Sequence, residues 1–150
     1  MAGIKQVLYT LCREHVGKGI AAAQHAIDDA REAAAGETKS SAGDKYETAR
    51  EMMQQEIDLN MSRLGELQKL KAVLDTIDPQ HKGTSIGAGS VVTTNQGNYF
   101  IAISVGKLIV EGNTYYALSA ASPLGKKLVG LKKGDRLSFN GRDITIDDLH

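Results

Sequence analysis

The chain has no tryptophan, only two prolines among 150 residues, one cysteine and two phenylalanines. Each scarcity excludes something. A lone Cys12 cannot close an internal disulfide, and no Cys/His group has zinc spacing, so the expected setting is a reducing compartment, with the cytoplasm as default. No stretch approaches the ~20 apolar residues that span a bilayer, and Met-Ala-Gly-Ile-Lys lacks the basic start and apolar run of a signal peptide; no membrane role is expected. Lys plus Arg and Asp plus Glu number 18 each, so there is no charge excess of the kind that holds a protein on nucleic acid through a broad basic face. Any contact with RNA is expected to run through a partner. What is present is a 41% hydrophobic chain, long enough to fold as one ordinary domain or two small ones without metals or disulfides.

The prolines divide the sequence. Residues 4 to 77 contain none and read as two long helices, whereas residues 88 to 147 are rich in β-branched residues, Gly and Asn. Pro79 cannot continue a helix and disfavours one at Asp78, which places the boundary near Asp78-Pro-Gln-His-Lys-Gly83. In the first helix Ile20, Ala23, Ile27, Ala30 and Ala34 recur at 3-4 spacing, and Ile4, Leu8, Cys12 and Val16 extend the same stripe. The second answers with Ala49, Met53, Ile57, Asn60, Leu64, Leu67, Leu70, Leu74 and Ile77. Two single seams of this kind fit an antiparallel coiled-coil hairpin over 1–78, with helices near 4–35 and 42–77 and a tip at 36–41. Ala34-Ala35-Gly36 is the expected end of the first helix, and Ser41-Ala-Gly-Asp44 a capping box that starts the second. After a linker at 79–87, strands are predicted near 90–94, 99–104, 115–120, 136–140 and 143–147, and Asn140-Gly141 reads as a type I′ hairpin turn. The fold class is therefore α+β: a helical hairpin followed over 88–150 by a small antiparallel β-sheet domain with one short helix.

That short helix lies in Ser122-Pro-Leu-Gly-Lys-Lys-Leu-Val-Gly-Leu-Lys-Lys-Gly-Asp135. Ser122 is an N-cap candidate, Pro123 has φ preset for a first helical position, Gly130 can end the helix in the left-handed region, and Gly134-Asp135 turns into a strand. The segment resembles the signature of the bacterial transcript-cleavage factors, the GreA/GreB family: Ser-Pro, a small residue, two hydrophobics, Gly, then Gly-Asp. Gly36-Glu-Thr-Lys-Ser-Ser-Ala-Gly-Asp-Lys-Tyr-Glu47 and Ala49-Arg50-Glu51 are similar to that family's hairpin tip, and with the order of domains the resemblance covers essentially the whole chain.

The resemblance implies an RNA polymerase-binding transcription elongation factor. Its C-terminal domain would have an FKBP-like fold and dock on the rim of the polymerase secondary channel, while the coiled-coil tip enters the channel. Two acidic tip residues would then help hold a magnesium of the polymerase's own active centre, so that backtracked RNA is cleaved at its 3′ end. Such a factor is not an enzyme by itself, has no cofactor of its own, meets nascent RNA only indirectly, and is expected to be monomeric and cytoplasmic. Glu37 takes one acid's place. The second falls on Ser40, a neutral hydroxyl and a poor Mg²⁺ ligand, so Asp44 is the substitute acid, although as the third capping-box residue it has a structural role as well. Ser41, Tyr46, Glu47 and Arg50 are the tip neighbours. Ser122, Pro123, Lys126, Lys127, Lys132, Lys133 and Asp135 are the candidate docking residues.

Three other readings stand beside this one. Ser40 in place of an acid is what a channel-binding regulator that does not promote cleavage would have. An FKBP-like peptidyl-prolyl isomerase would need an aromatic-lined pocket, for which this half offers Tyr99, Phe100, Tyr115, Tyr116 and Phe139, several of them required by the core. A dimerising coiled coil is disfavoured by the short turn and the Ala-rich distal seam. His15 and His25, ten residues apart on one helix, cannot share a metal, and His81 and His150 suggest no chemistry.

Overall fold

The computed structural model describes residues 3–37 and 43–150, with side chains described for 3–36 and 47–150. Contacts divide it into two compact units: Val16–Lys71, and the chain up to His15 together with Ala72–His150.

Helix α1 spans Ile4–Glu37 and α2 spans Gly43–Asp75. In the Val16–Lys71 unit, Ile27 and Ala30 pack with Ile57 and Leu64, and a methyl on Gly19 would lie 3.0 Å from Leu67. The partner number falls as the α1 number rises, so the helices are antiparallel. The seams are those expected: Leu8, Cys12, Val16, Ala23, Ile27 and Ala30 are buried on α1, and Ile57, Asn60 and Leu74 on α2. Asn60 is the polar member; its amide donates to the Glu56 carbonyl at 2.9 Å and accepts from Arg63. The helix ends differ slightly from expectation. α1 continues through Gly36 to Glu37, because Gly36 does not take the positive φ that would terminate it. α2 stops at Asp75, where Thr76 and Ile77 donate to the carbonyls three residues back and tighten the last turn. The capping-box serine, Ser41, lies outside the described residues.

In the other unit the N-terminal turns of α1 meet the end of α2. Tyr9 Oη donates at 2.8 Å to the Leu74 carbonyl, one of the last of α2, which also accepts from Ile77 N in the tightened final turn. Arg13 Nη1 donates to Tyr9 Oη and lies 2.9 Å from the Asp75 carboxylate; these hydrogen bonds, Asp75 first, raise the guanidinium pKa. The chain then turns at Asp78-Pro79, where Asp78 Oδ1 accepts from Gln80 N. Within the expected linker, Ile86 is a core residue: its side chain is buried, its N–H donates to Leu131 O and its C=O accepts from Gly130 N.

Six strands follow, β1 Val91–Thr94, β2 Gly97–Ala102, β3 Gly106–Val110, β4 Asn113–Ser119, β5 Arg136–Phe139 and β6 Arg142–Leu149, with helix α3 at Pro123–Leu128. Their spatial order is β3-β4-β2-β1-β6-β5. Four pairings are antiparallel; β2 with β4 is parallel, so the sheet is mixed where the sequence suggested an antiparallel one. The reason is β3, which sequence reasoning missed. The chain reverses after β2, runs back as β3 one strand-width away, and reverses again through Glu111-Gly112 so that β4 fills the gap, parallel to β2. One unrecognised hairpin inverts the direction of everything paired to it. The Asn140-Gly141 turn is as expected, both residues having positive φ (51° and 76°) between the paired Phe139 and Arg142. One sheet face carries Val92, Ile101 and Ile146, packed with Ile86 and with Leu128 of α3.

Candidate functional sites: the hairpin end and the short-helix motif

The motif around α3 is a closed set of backbone solutions. Ser122 has an extended φ/ψ; its Oγ accepts from Gly125 N at 3.1 Å and donates to Ser119 O at 2.6 Å, while its own N–H reaches the same carbonyl. Pro123 follows at the first helical position. Gly125 is there because nothing larger fits: a Cβ would lie 2.0 Å from Ser119 O. Gly130 has φ 91° and donates to Ile86 O. Gly134, φ 92°, donates to Ile146 O, and Asp135 Oδ2 accepts from Lys132 N at 2.8 Å.

The candidate docking residues thus separate into three groups. Ser122 and Asp135 spend their side chains on local backbone. Pro123, Lys126 and Lys132 are exposed. Lys127 donates to Ser138 O at 2.9 Å with its ammonium 5.8 Å from the Phe139 ring centre, and Lys133 lies 3.7 Å from Asp148. The Asp148 carboxyl is held below its usual pKa, first by the Leu149 N–H and then by His150 and Lys133.

At the other candidate site, Glu37 is the last residue of α1 and Asp44 the second of α2. Their side chains, and that of Tyr46, lie outside the described set, as do Ser40 and Ser41 altogether. Glu47 and Arg50 are exposed on the first turns of α2. Arg50 lines a groove of about 340 Å³ with Arg31, Gln54 and Met61, over Ala34 and Ile57 of the seam. Arg31 was not picked out from the sequence, because its approach to Arg50 depends on the register between helices. Among the described residues no group of three or more His, Cys, Asp or Glu is placed to hold a metal, and no helix is long and apolar enough to cross a membrane.

Together these features define an α+β protein in which a two-helix antiparallel hairpin is joined to a six-stranded mixed sheet bearing one short capped helix. No protein-family model and no curated protein sequence matches the chain. Among solved structures it is similar to that of the transcription factor Gfh1, at 21% identity and a TM-score of 0.35, covering 95% of this chain and 92% of that one.

Proposed function

We propose that this protein binds RNA polymerase and acts through its secondary channel, with the hairpin tip presented to the catalytic centre and the sheet domain docked outside. What carries the reading is the coincidence in one chain of a Ser-Pro…Gly…Gly-Asp motif folded around α3 and an antiparallel hairpin whose two helices, 34 and 33 residues long, each extend for ~50 Å. An Ala-lined distal seam makes the hairpin thin at the tip end, where Ala23, Ala30 and Ala34 stand on α1. Glu37 and Asp44 supply hard oxygen ligands, the donor type a polymerase-bound Mg²⁺ prefers. In this role the factor contributes carboxylates in trans to another protein's active centre and stimulates cleavage of backtracked RNA.

The test is RNA cleavage by a backtracked elongation complex of the cognate polymerase, with a binding competition against a known secondary-channel factor. Replacing Glu37 and Asp44 together by Ala should abolish stimulated cleavage and leave competition intact; unchanged cleavage would refute the assignment of the acids. Ser40, where a second acid is expected, favours one further reading, a channel-binding regulator that does not promote cleavage. Competition without cleavage in the unmodified protein is its expected result.

A further inference from the structure

A further surface lies on the sheet face that α3 packs against, beside that helix. Alternation along the paired strands puts Tyr116 of β4, Tyr99 of β2 and Lys107 of β3 on one face, with Tyr116 opposite Lys107 and beside Tyr99 in register. Tyr116 is 43% exposed and Ile109, two residues along β3 from Lys107, is 61% exposed, large values for residues in a sheet. The tyrosine rings are 6.2 Å apart. Next to Tyr99 the face opens into a cleft of about 340 Å³ walled by Tyr99, Leu124, Phe139 and Ile144. Its polar lining is Gln96, Asn140 and Arg142, with no carboxylate. The Lys127 ammonium over Phe139 adds a second cation. Asp143, the nearest acid in sequence, alternates to the opposite face of β6. Burial, then Tyr116, raise the Tyr99 hydroxyl pKa against the opposing effect of Arg142, which keeps it a neutral donor at the cleft wall.

We propose that this cleft binds an acidic peptide segment of a partner protein, an apolar side chain entering between Tyr99, Leu124 and Phe139 while flanking carboxylates meet Arg142, Lys127 and Lys107. An apolar pocket with a few convergent polar groups is the ordinary form of a side-chain subsite, and a rim of one charge selects the opposite charge. Single-stranded nucleic acid is the less favoured occupant. The two tyrosine rings are tilted by 39° to each other and one backs a cavity, so they do not form a flat platform for successive bases. The proposal shares Lys127 with the docking residues of the channel reading but rests on the cleft alone.

The probe is a fluorescein-labelled short peptide of Asp and Glu around a central Leu-Phe, titrated into the full-length protein by fluorescence anisotropy, with amide shifts mapped by NMR. Saturable binding is expected, with shifts at Tyr99, Phe139 and Arg142, and a counterpart with Lys for each acid should not bind. Arg142→Glu, at an exposed strand end, should weaken binding at least about tenfold. Lys127→Glu should weaken it several-fold and supplies a second charge reversal if the first variant does not fold. Absence of saturable binding, shifts confined to other surfaces, equal binding of the Lys peptide, or affinity unmoved by both reversals would overturn the proposal. So would preferential binding of a short oligothymidylate to the same residues.

Discussion

Replacing a helical glycine by alanine is usually stabilising, and this chain allows that rule to be set against its opposite. At Gly17 of α1 an added methyl meets no heavy atom within 4 Å. Gly17→Ala is expected to stabilise the protein by ~1 kcal/mol through backbone entropy and helix propensity. At Gly125 of α3 the same methyl would lie 2.0 Å from Ser119 O, 2.8 Å from Ser122 Oγ and 3.0 Å from the Ser119 carbonyl carbon. A tolerable carbon–oxygen contact is roughly 3.3 Å, so α3 and the end of β4 must separate by about 1.3 Å. That movement stretches both bonds that Ser122 makes to Ser119 O, at 2.6 Å from Oγ and 3.0 Å from N. Overpacking of this kind costs about 1–3 kcal/mol and two weakened hydrogen bonds about 0.5–1.5 each, against a propensity gain of ~1, leaving a net destabilisation of about 3 kcal/mol. For a unit of this size that lowers Tm by well over 10 °C, at about 4–8 °C per kcal/mol. Without tryptophan, tyrosine fluorescence serves to follow urea unfolding beside far-UV circular dichroism. A Gly125→Ala protein within about 1 kcal/mol of the parent would refute the reasoning, because the approach of α3 to Ser119 would then be freely adjustable.

Gly141→Ala should destabilise by about 1–2 kcal/mol in the same melts, since φ 76° forces a Cβ against the following carbonyl. Tyr9→Phe should cost about 1 kcal/mol, leaving the Leu74 carbonyl without its hydroxyl donor and Arg13 without one of its acceptors. Cys12 is fully buried, and burial pushes its thiol from 9.0 up to about 11. Iodoacetamide should therefore label it only as fast as the protein opens. Between those two pH values the folded state holds a proton that the unfolded state has released, so stability should fall as pH rises through that window, by at most about 1.4 kcal/mol per pH unit.

Much of this fold is written in periodicity. The 3-4 steps from Leu8 to Ala30 and from Ile57 to Leu74 identify the buried seams residue by residue, since one face of a helix can be buried only if the apolar positions recur with its turn. Asn140-Gly141 and Ser122-Pro123 were legible because each residue solves a local backbone problem. Strand β3 was not. Gly106-Lys-Leu-Ile-Val110 is too short, and its Leu-Ile-Val run too unbroken, to show alternation, and Glu111 is an unusual residue for the positive φ of its turn. The parallel pairing of β2 with β4 followed from that miss. The Gly125 constraint was present as the small residue of the motif, but its cause is a carbonyl six positions earlier. The cleft around Tyr99 and the Arg31–Arg50 groove could not be read at all, because both depend on register between elements distant in sequence.

The position of β6 bears on how the polypeptide is made. This strand, the last of the six in sequence order, lies between β1 and β5, and β5 joins the sheet through β6 alone. On a ribosome, Val16–Lys71 contains both partners of its own seam and can fold while the rest is still being translated. The sheet domain can only wait, holding β1 with one side open and β5 without a neighbour, until Leu149 has cleared the exit tunnel. Synthesis therefore yields the hairpin early and completes the sheet domain late, and a ribosome stalled before β6 is made would release a chain with β5 unplaced and β1 paired on one side only.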